Sequence, residues 1–469
     1  MFHEIGDEIE DKIQHECGVF GIYMKNPENE TDAARTAFYG LYALQHRGQE
    51  SAGIAVANGQ HIELHKGMGL VTEVITPEQI KRLKGTIAIG HVRYSTTGAS
   101  SLVNAQPLVF HYLNGMMAVA HNGNLVNTIE LRRRLATYGS VFQTTTDTEV
   151  VANLLARYSQ DQMEDALAKV MIDMKGAYAL IIVNEDRMVG VRDPMGIRPL
   201  CIGEMGGNYV LASESAAIST IGAKFVRDVT PGEIVVIDQD GLRSLQVFNS
   251  SRSANCIFEY IYFARPDSTI DGINVYQARR EMGRRLAQEA KIDADLVISV
   301  PDSGTSSALG YAEEAGLPFE EGLMKNRYVG RTFIQPSQKM RELGVRLKLN
   351  PIKEVVCGKR VIMVDDSIVR GTTSKQIVQM LREAGALEVH MVVASPPTRH
   401  SCYYGIDTSR REELIASSMD EAAIEKFIGA DSLHYLTMEG MMASLEQWGN
   451  CFCTACFSGQ YPIKIDALT

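Results

Sequence analysis

At 469 residues, with 45% hydrophobic and 22% charged residues, the chain is long enough for two hydrophobic cores and too apolar for a disordered polymer. A formal net charge of -11 argues against a general nucleic-acid surface, which needs clustered positive charge, and no apolar run approaches a membrane span. Eight cysteines are too sparse for a disulfide scaffold, so reduced thiols and a cytoplasmic location are expected.

The first segment, MFHEIGDEIEDKIQHE, is acidic and lacks the basic start and apolar middle of a secretory signal. From Cys17 to about Ser250 come short β-rich runs punctuated by glycine: CGVFGIY, SAGIAVA, GTIAIGHVRY, GMMAVAHNG, AYALIIVN, MVGVRD, NYVLASE and EIVVID. Many short strands with turn signals predict layered antiparallel sheets. Between them, DAARTAFYGLYALQHRG and TDTEVVANLLARYSQ repeat apolar residues at three and four, so helices should cover those sheets in an α+β layered domain.

The polar stretch SSRSANC, 250–256, marks a junction, and the expected division is 17–253 and 254–469. Beyond it strands lead into helices: DLVISV into SSALGYAEEAG, then RVIMVDD into TTSKQIVQMLREAGA, then HMVVASP. That alternation predicts an α/β domain with a mainly parallel sheet, whose ligands bind at the carboxyl ends of the strands.

VIMVDDSIVRGTTS, 361–374, reads as a buried strand, two acids, a short loop and a helix opening on Gly-Thr-Thr-Ser. A helix N-terminus offers free N–H groups and the positive end of a dipole, so Arg370, Gly371, Thr372, Thr373 and Ser374 can cradle a phosphate. Asp365 and Asp366 can accept ribose hydroxyls or hold Mg²⁺; solvated acids on an ordinary turn are the plain alternative. A second strand-loop-helix, VPDSGTSSALGYA at 300–312, places Asp302, Ser303, Gly304 and Thr305 in its turn. In 325–348 Lys325, Arg327, Arg331, Lys339, Arg341, Arg346 and Lys348 face one acid, Glu342, which suits a lid over pyrophosphate or a solvated basic loop.

The 361–374 motif, with Ser367 in its loop, resembles the phosphoribosyl pyrophosphate (PRPP) fingerprint of phosphoribosyltransferases, and 300–312 resembles their pyrophosphate loop. The resemblance implies PRPP at Asp302, Ser303, Gly304, Thr305, Asp365, Asp366, Ser367 and Arg370 to Ser374, with Mg²⁺ at Ser303, Asp365 and Asp366. Upstream, Cys17-Gly18-Val19-Phe20-Gly21, LQHRGQESAGIA, HVRYSTTG, HNGNL and TDTE resemble the class II glutamine amidotransferases, which are N-terminal nucleophile hydrolases. In that family the catalytic cysteine heads the mature chain and its own α-amine, with a pKa of about 7.7–8.0, serves as base. Carried onto this chain, Cys17 is the nucleophile, Asn122 and Gly123 form the oxyanion hole, and Arg93 and Asp147 bind glutamine's α-groups. Each has a plainer alternative taken singly: a core thiol, a hairpin turn at Asn122-Gly123, a structural ion pair.

Glutaminase followed by phosphoribosyltransferase resembles the glutamine PRPP amidotransferase family, in its propeptide- and iron-sulfur-containing branch. The branch implies that residues 1–16 are a propeptide, removed to free the Cys17 amine. It also implies one 4Fe-4S cluster on Cys256, Cys402, Cys453 and Cys456; Cys453 and Cys456 have C-x-x-C spacing within NCFCTACFSG. Zinc on the same thiolates, unligated cysteines, or Cys451 replacing a ligand remain open. The family further implies glutamine and PRPP as substrates, purine nucleotides as feedback inhibitors and a homotetramer, with neither nucleic acid nor membrane as partner. The rivals are another class II amidotransferase, such as a glucosamine-phosphate synthase, and a PRPP-sensing regulator without turnover.

Overall fold

The computed structural model describes residues 17–94, 100–158, 160, 162–249, 253–326, 348–406, 408, 411–449 and 451–465. The expected propeptide, Ser95 to Gly98 of HVRYSTTG, and Arg327, Arg331, Lys339, Arg341, Glu342 and Arg346 lie outside the described residues.

The first half stacks two antiparallel sheets. One orders its seven strands Lys224–Asp228, Cys201–Met205, Asn208–Ala212, Gly18–Tyr23, Ile87–Arg93, Ser51–Ala57 and Ile62–Met68. The other runs Gly241–Gln246, Glu233–Asp238, Met188–Arg192, Gly176–Val183, Gly115–Leu125 and Leu108–Tyr112. Strands at the centre bury both faces, which is why SAGIAVA and GAYALIIV read as continuous apolar runs. Between the sheets Val19, Ala55, Ile89, Ala120, Ala179 and Ile181 form one core. Helices cover the outer faces: Asp32–Ala43 packs over Phe20 and Ile22, and Thr148–Arg157 with Met163–Asp173 packs over Val119 and Leu180. The helix Asp32–Ala43 approaches so closely that a Cβ on Gly40 would stand 2.3 Å from the Phe20 ring.

The second half is built on a four-stranded parallel sheet ordered Leu296–Ser299, Arg360–Asp365, Glu388–Val393 and Ser432–Tyr435. Val275–Glu289, Thr305–Ala315 and Thr372–Glu383 are its longest helices. Its two apolar faces are filled separately, by Ala278, Met282 and Val297 on one side and by Ile298, Met363 and Ile377 on the other. No helix is long and apolar enough to cross a membrane among the described residues.

Buried ion pairs join the halves. Arg192 donates through both terminal nitrogens to Asp271 at 2.7 Å each, and Arg47 does so to Glu259 at 2.9 and 2.6 Å. Removing one member of such a pair typically costs about 3–5 kcal/mol, because the other charge is left desolvated and unpaired.

Candidate active site

Cys17 precedes the central strand Gly18–Tyr23, and Arg93 ends the adjacent antiparallel strand, where Gly18 faces Val92. Asn122 and Gly123 come from the other sheet, inside Gly115–Leu125, paired with Ala179 and Tyr178. They are mid-strand, which removes the hairpin-turn alternative. Gly123 has φ +140°, and a Cβ there would stand 2.0 Å from Ala177 O, so only glycine fits. Asp147 precedes the helix Thr148–Arg157 and is tied to the same strand by Leu125 N, which donates to its Oδ2 at 2.9 Å.

These elements close one cavity lined by Cys17, Arg93, Tyr94, Gln106, His121, Gly123, Thr146 and Asp147. Beside it, Asn122 is 1% exposed, and neither its Nδ2 nor its Oδ1 has a hydrogen-bond partner among the described residues. A buried amide left unpaired is costly, and its presence at this cavity is what a ligand-directed donor requires.

The electrostatics follow from burial. Desolvation pushes the Cys17 thiol up to about 11, and its S–H donates to Tyr94 O at 3.6 Å. Burial alone would raise Asp147, but the charge and hydrogen bond of His121, with the Leu125 N–H, hold it below the usual carboxylate range. His91 is pushed down to about 3 by burial and donates Nε2–H to His121 O at 3.0 Å. Arg93 donates to Glu50 at 2.7 Å. Arg47 donates Nε to Cys17 O at 3.1 Å and Nη1 to Glu214 at 2.6 Å, so the backbone of the candidate nucleophile is fixed by a buried arginine.

Glu50 and Arg47 sit in the LQHRGQESAGIA motif, yet their contacts were not anticipated from the sequence. Gln106, His121 and Thr146 are further wall residues without an assigned role at that stage. Gln106 Oε1 accepts from His121 N at 2.8 Å, and Asn104 exchanges two bonds with Thr145, fastening this wall to the loop before Asp147.

In the second half, adjacent parallel strands bring the two expected phosphate loops together. Ser303 Oγ and Ser367 Oγ donate to the two oxygens of Asp366 at 2.5 and 2.7 Å, while Asp366 N donates to Asp365 Oδ1 at 2.9 Å. Gly304 fits only without a side chain, since a Cβ would stand 2.6 Å from Val364 O. Gly371, at φ +78°, turns the chain into the helix Thr372–Glu383, which begins at Thr372 and Thr373 and buries Ser374. Asp302 and Thr305 flank the first loop, with Asp302 accepting from Lys325 Nζ at 2.8 Å, and Arg370 pairs with Glu413.

Cys256, Cys453 and Cys456 are buried and Cys402 is half-buried; Cys451 and Cys357 are exposed. Burial raises Cys256, Cys453 and Cys456, Cys453 to about 12, and Cys402 lies near enough to act electrostatically on all three. Among the described residues, no three His, Cys, Asp or Glu side chains converge as metal ligands do.

Residues 78–278 match the family model described as a glutamine amidotransferase domain. The chain is 51% identical over 458 residues to the amidophosphoribosyltransferase of Bacillus subtilis, covering 97% of this chain and 95% of that one. It is 52% identical over 453 residues to the amidophosphoribosyltransferase of Archaeoglobus fulgidus, covering 96% and 98%. A solved structure of glutamine phosphoribosylpyrophosphate amidotransferase from B. subtilis, complexed with ADP and GMP, superposes with a TM-score of 0.90 at 51% identity, covering 97% of this chain and 99% of that one.

Proposed function

The chain belongs to the amidophosphoribosyltransferase family, and on that premise we propose how its two sites divide the reaction. The protein makes 5-phosphoribosylamine, glutamate and pyrophosphate from PRPP, glutamine and water, the first step of purine synthesis. Residues 17–253 release ammonia and residues 254–469 consume it.

Arg93 and Asp147 bind glutamine's α-carboxylate and α-amino group by complementary charge. The Cys17 thiol passes its proton to its own α-amine, free once residues 1–16 are removed, and the thiolate attacks the side-chain carbonyl carbon. Asn122 Nδ2 and Gly123 N–H stabilise the oxyanion. The amine returns the proton to the departing ammonia, and water then cleaves the thioester to give glutamate. Ammonia passes inside the protein to the anomeric carbon of PRPP and displaces pyrophosphate.

PRPP lies against Asp302, Ser303, Gly304 and Thr305 through its pyrophosphate and against Ser367 and Arg370 to Ser374 through its 5-phosphate, with Asp365 and Asp366 facing the ribose. The hard oxygens of Ser303, Asp365 and Asp366 suit Mg²⁺, which when bound neutralises charge on the leaving pyrophosphate. Cys256, Cys402, Cys453 and Cys456 would be the thiolates that hold one 4Fe-4S cluster; their mutual electrostatic proximity supports the reading, although among the described residues their side chains do not converge as ligands do. Such a cluster would fasten the end of the chain, since neither half-reaction moves electrons. The protein is read as a cytoplasmic homotetramer inhibited by purine nucleotides; the inhibition alone accords with the relative solved with ADP and GMP.

The observation that carries the glutaminase reading is the unpartnered Asn122 amide beside the cavity shared by Cys17, Arg93, Gly123 and Asp147. Replacing Cys17→Ala tests it: glutamine-dependent synthesis should vanish while synthesis from concentrated ammonia survives. Loss of both in a folded protein would contradict the division of labour.

A further inference from the structure

The segment Cys402–Ile406 reaches from the second half to the strand that carries Asn122 and Gly123. Asn124, next along that strand, donates Nδ2 to Tyr403 O at 2.9 Å. Fully buried Arg198 donates Nε and Nη2 to Tyr404 O at 3.1 and 2.5 Å. Within the segment Tyr404 N donates to Cys402 Sγ at 3.3 Å, so two successive residues, Tyr403 and Tyr404, are anchored on the first half and the turn before them is closed on itself.

Gly405 follows these anchors and lies directly on Gly123. A Cβ built on Gly405 would stand 3.0 Å from Gly123 C, 3.2 Å from Gly123 Cα and 2.9 Å from Arg198 Nη2. Its φ of +111° is in the left-handed region that favours glycine. Ala177 O, from the neighbouring strand, also closes on Gly123, 2.0 Å from where a Cβ would stand there. The Gly123 peptide is therefore approached closely both by its own sheet and by a segment of the other half.

We propose that Gly405 is a positioning residue for glutamine hydrolysis: lacking a side chain, it lets the 402–406 segment press on Gly123 and hold that peptide in its oxyanion-binding orientation. The inference rests on the role given above to Asn122 and Gly123. Oxyanion donors work because they are fixed before charge develops, so a displaced donor slows the chemical step more than it weakens substrate binding. The second half thereby completes the hole of the first without touching glutamine.

The test uses the full-length enzyme carrying Gly405→Ala or Asn124→Ala, the latter removing an anchor without adding atoms. Turnover is measured with glutamine and with ammonia. Affinity is measured for glutamate and for the aldehyde analogue of glutamine, whose hemithioacetal with Cys17 puts its oxygen in the hole. For Gly405→Ala, kcat with glutamine should fall about tenfold or more and aldehyde affinity should fall with it. KM for glutamine, glutamate affinity and ammonia-dependent synthesis should stay within about twofold. Asn124→Ala should move the same quantities in the same direction by a smaller factor. A folded Gly405→Ala enzyme with parental kcat and aldehyde affinity would overturn the proposal, as would a loss confined to KM or one shared equally by ammonia-dependent synthesis. If that variant does not fold, parental kcat in Asn124→Ala overturns it. Asn122→Ala, run in parallel, separates the two layers. Unchanged glutamine turnover there defeats the oxyanion-hole reading itself, whereas slow turnover there with parental Gly405→Ala and Asn124→Ala defeats only the present inference.

Discussion

Cys256 stands opposite Cys453 in the parallel pairing of Asn255–Cys256 with Phe452–Cys453, so the start of the second half meets the end of the chain. Cys402 and Cys456 complete the proposed thiolate set. Enzyme purified without oxygen should contain iron and sulfide, and Cys453→Ser should lose both and expose residues 451–465 to protease, because metal binding at such a site is coupled to local folding. Zinc in their place would favour a structural zinc site. An active, folded enzyme with neither iron nor sulfide would refute the cluster.

The Cys17 thiol, held up to about 11 by burial, would be ionised in only about one molecule in a thousand at pH 8 without a base. No histidine makes a hydrogen bond with its sulfur among the described residues. Intact-mass analysis of active enzyme should therefore find Cys17 at the N-terminus, and protein retaining residues 1–16 should lack glutamine-dependent activity. Full activity with the leader attached would show that another group takes the proton.

Asp366 accepts from both proposed phosphate loops, through Ser303 and Ser367. Replacing Asp365 and Asp366 together with Asn should lower kcat/KM for PRPP by about a hundredfold with either nitrogen donor, the scale of losing charged hydrogen bonds at a reacting centre. Unchanged PRPP kinetics would remove the ribose and metal roles from both acids.

Asp228 provides a pH-dependent stability term at the junction of the halves. Burial, then the nearby Asp271 carboxylate, push it up to about 7 against the opposing pull of Arg192 and the N–H groups of Asp271 and Gly272. Its folded pKa exceeds the ordinary carboxyl value, so the folded protein keeps a proton that the unfolded chain loses. Its contribution is therefore complete at low pH, falls as pH rises from about 4 to 7, and is gone above that. Three units correspond to about 4 kcal/mol as an upper bound. Asp228→Asn, which copies the protonated form, should raise Tm above the parent's at pH 8 and leave it unchanged at pH 4. Equal Tm differences at both pH values would assign the effect to something other than this proton.

Central strands were legible because burial on both faces demands runs such as GAYALIIV, and the motif residues announced themselves by type and spacing. Edge strands were not. Gly241–Gln246, reading GLRSLQ, is mostly exposed and carries no apolar run, so nothing local distinguishes it from a loop. Cys17, Arg93, Gly123 and Asp147 line one cavity, a long-range association that only the family resemblance suggested and that periodicity cannot supply. Gln106 escaped notice for the complementary reason: its place in the wall depends on a bond to His121 N and on backbone packing against Gly53, whose absent Cβ would stand 2.4 Å from Gln106 O. Those are properties of two sheets brought together, with no signature within either segment.

The pairing of Asn255–Cys256 with Phe452–Cys453 has a consequence for biosynthesis. A chain emerging from the ribosome can complete both antiparallel sheets from residues already made, and domains generally fold in that order. The partner of Asn255–Cys256, Phe452–Cys453, is translated long after it, and Tyr461 and Ile463, which hydrogen-bond Ser401 and Tyr404, come later still. That short strand stays unpaired, and the Cys402–Ile406 segment keeps only its anchors on Asn124 and Arg198, until those later residues have emerged. A nascent polypeptide stalled before residue 450 would thus carry a formed first half and a second half whose opening strand, Asn255–Cys256, still lacks its partner.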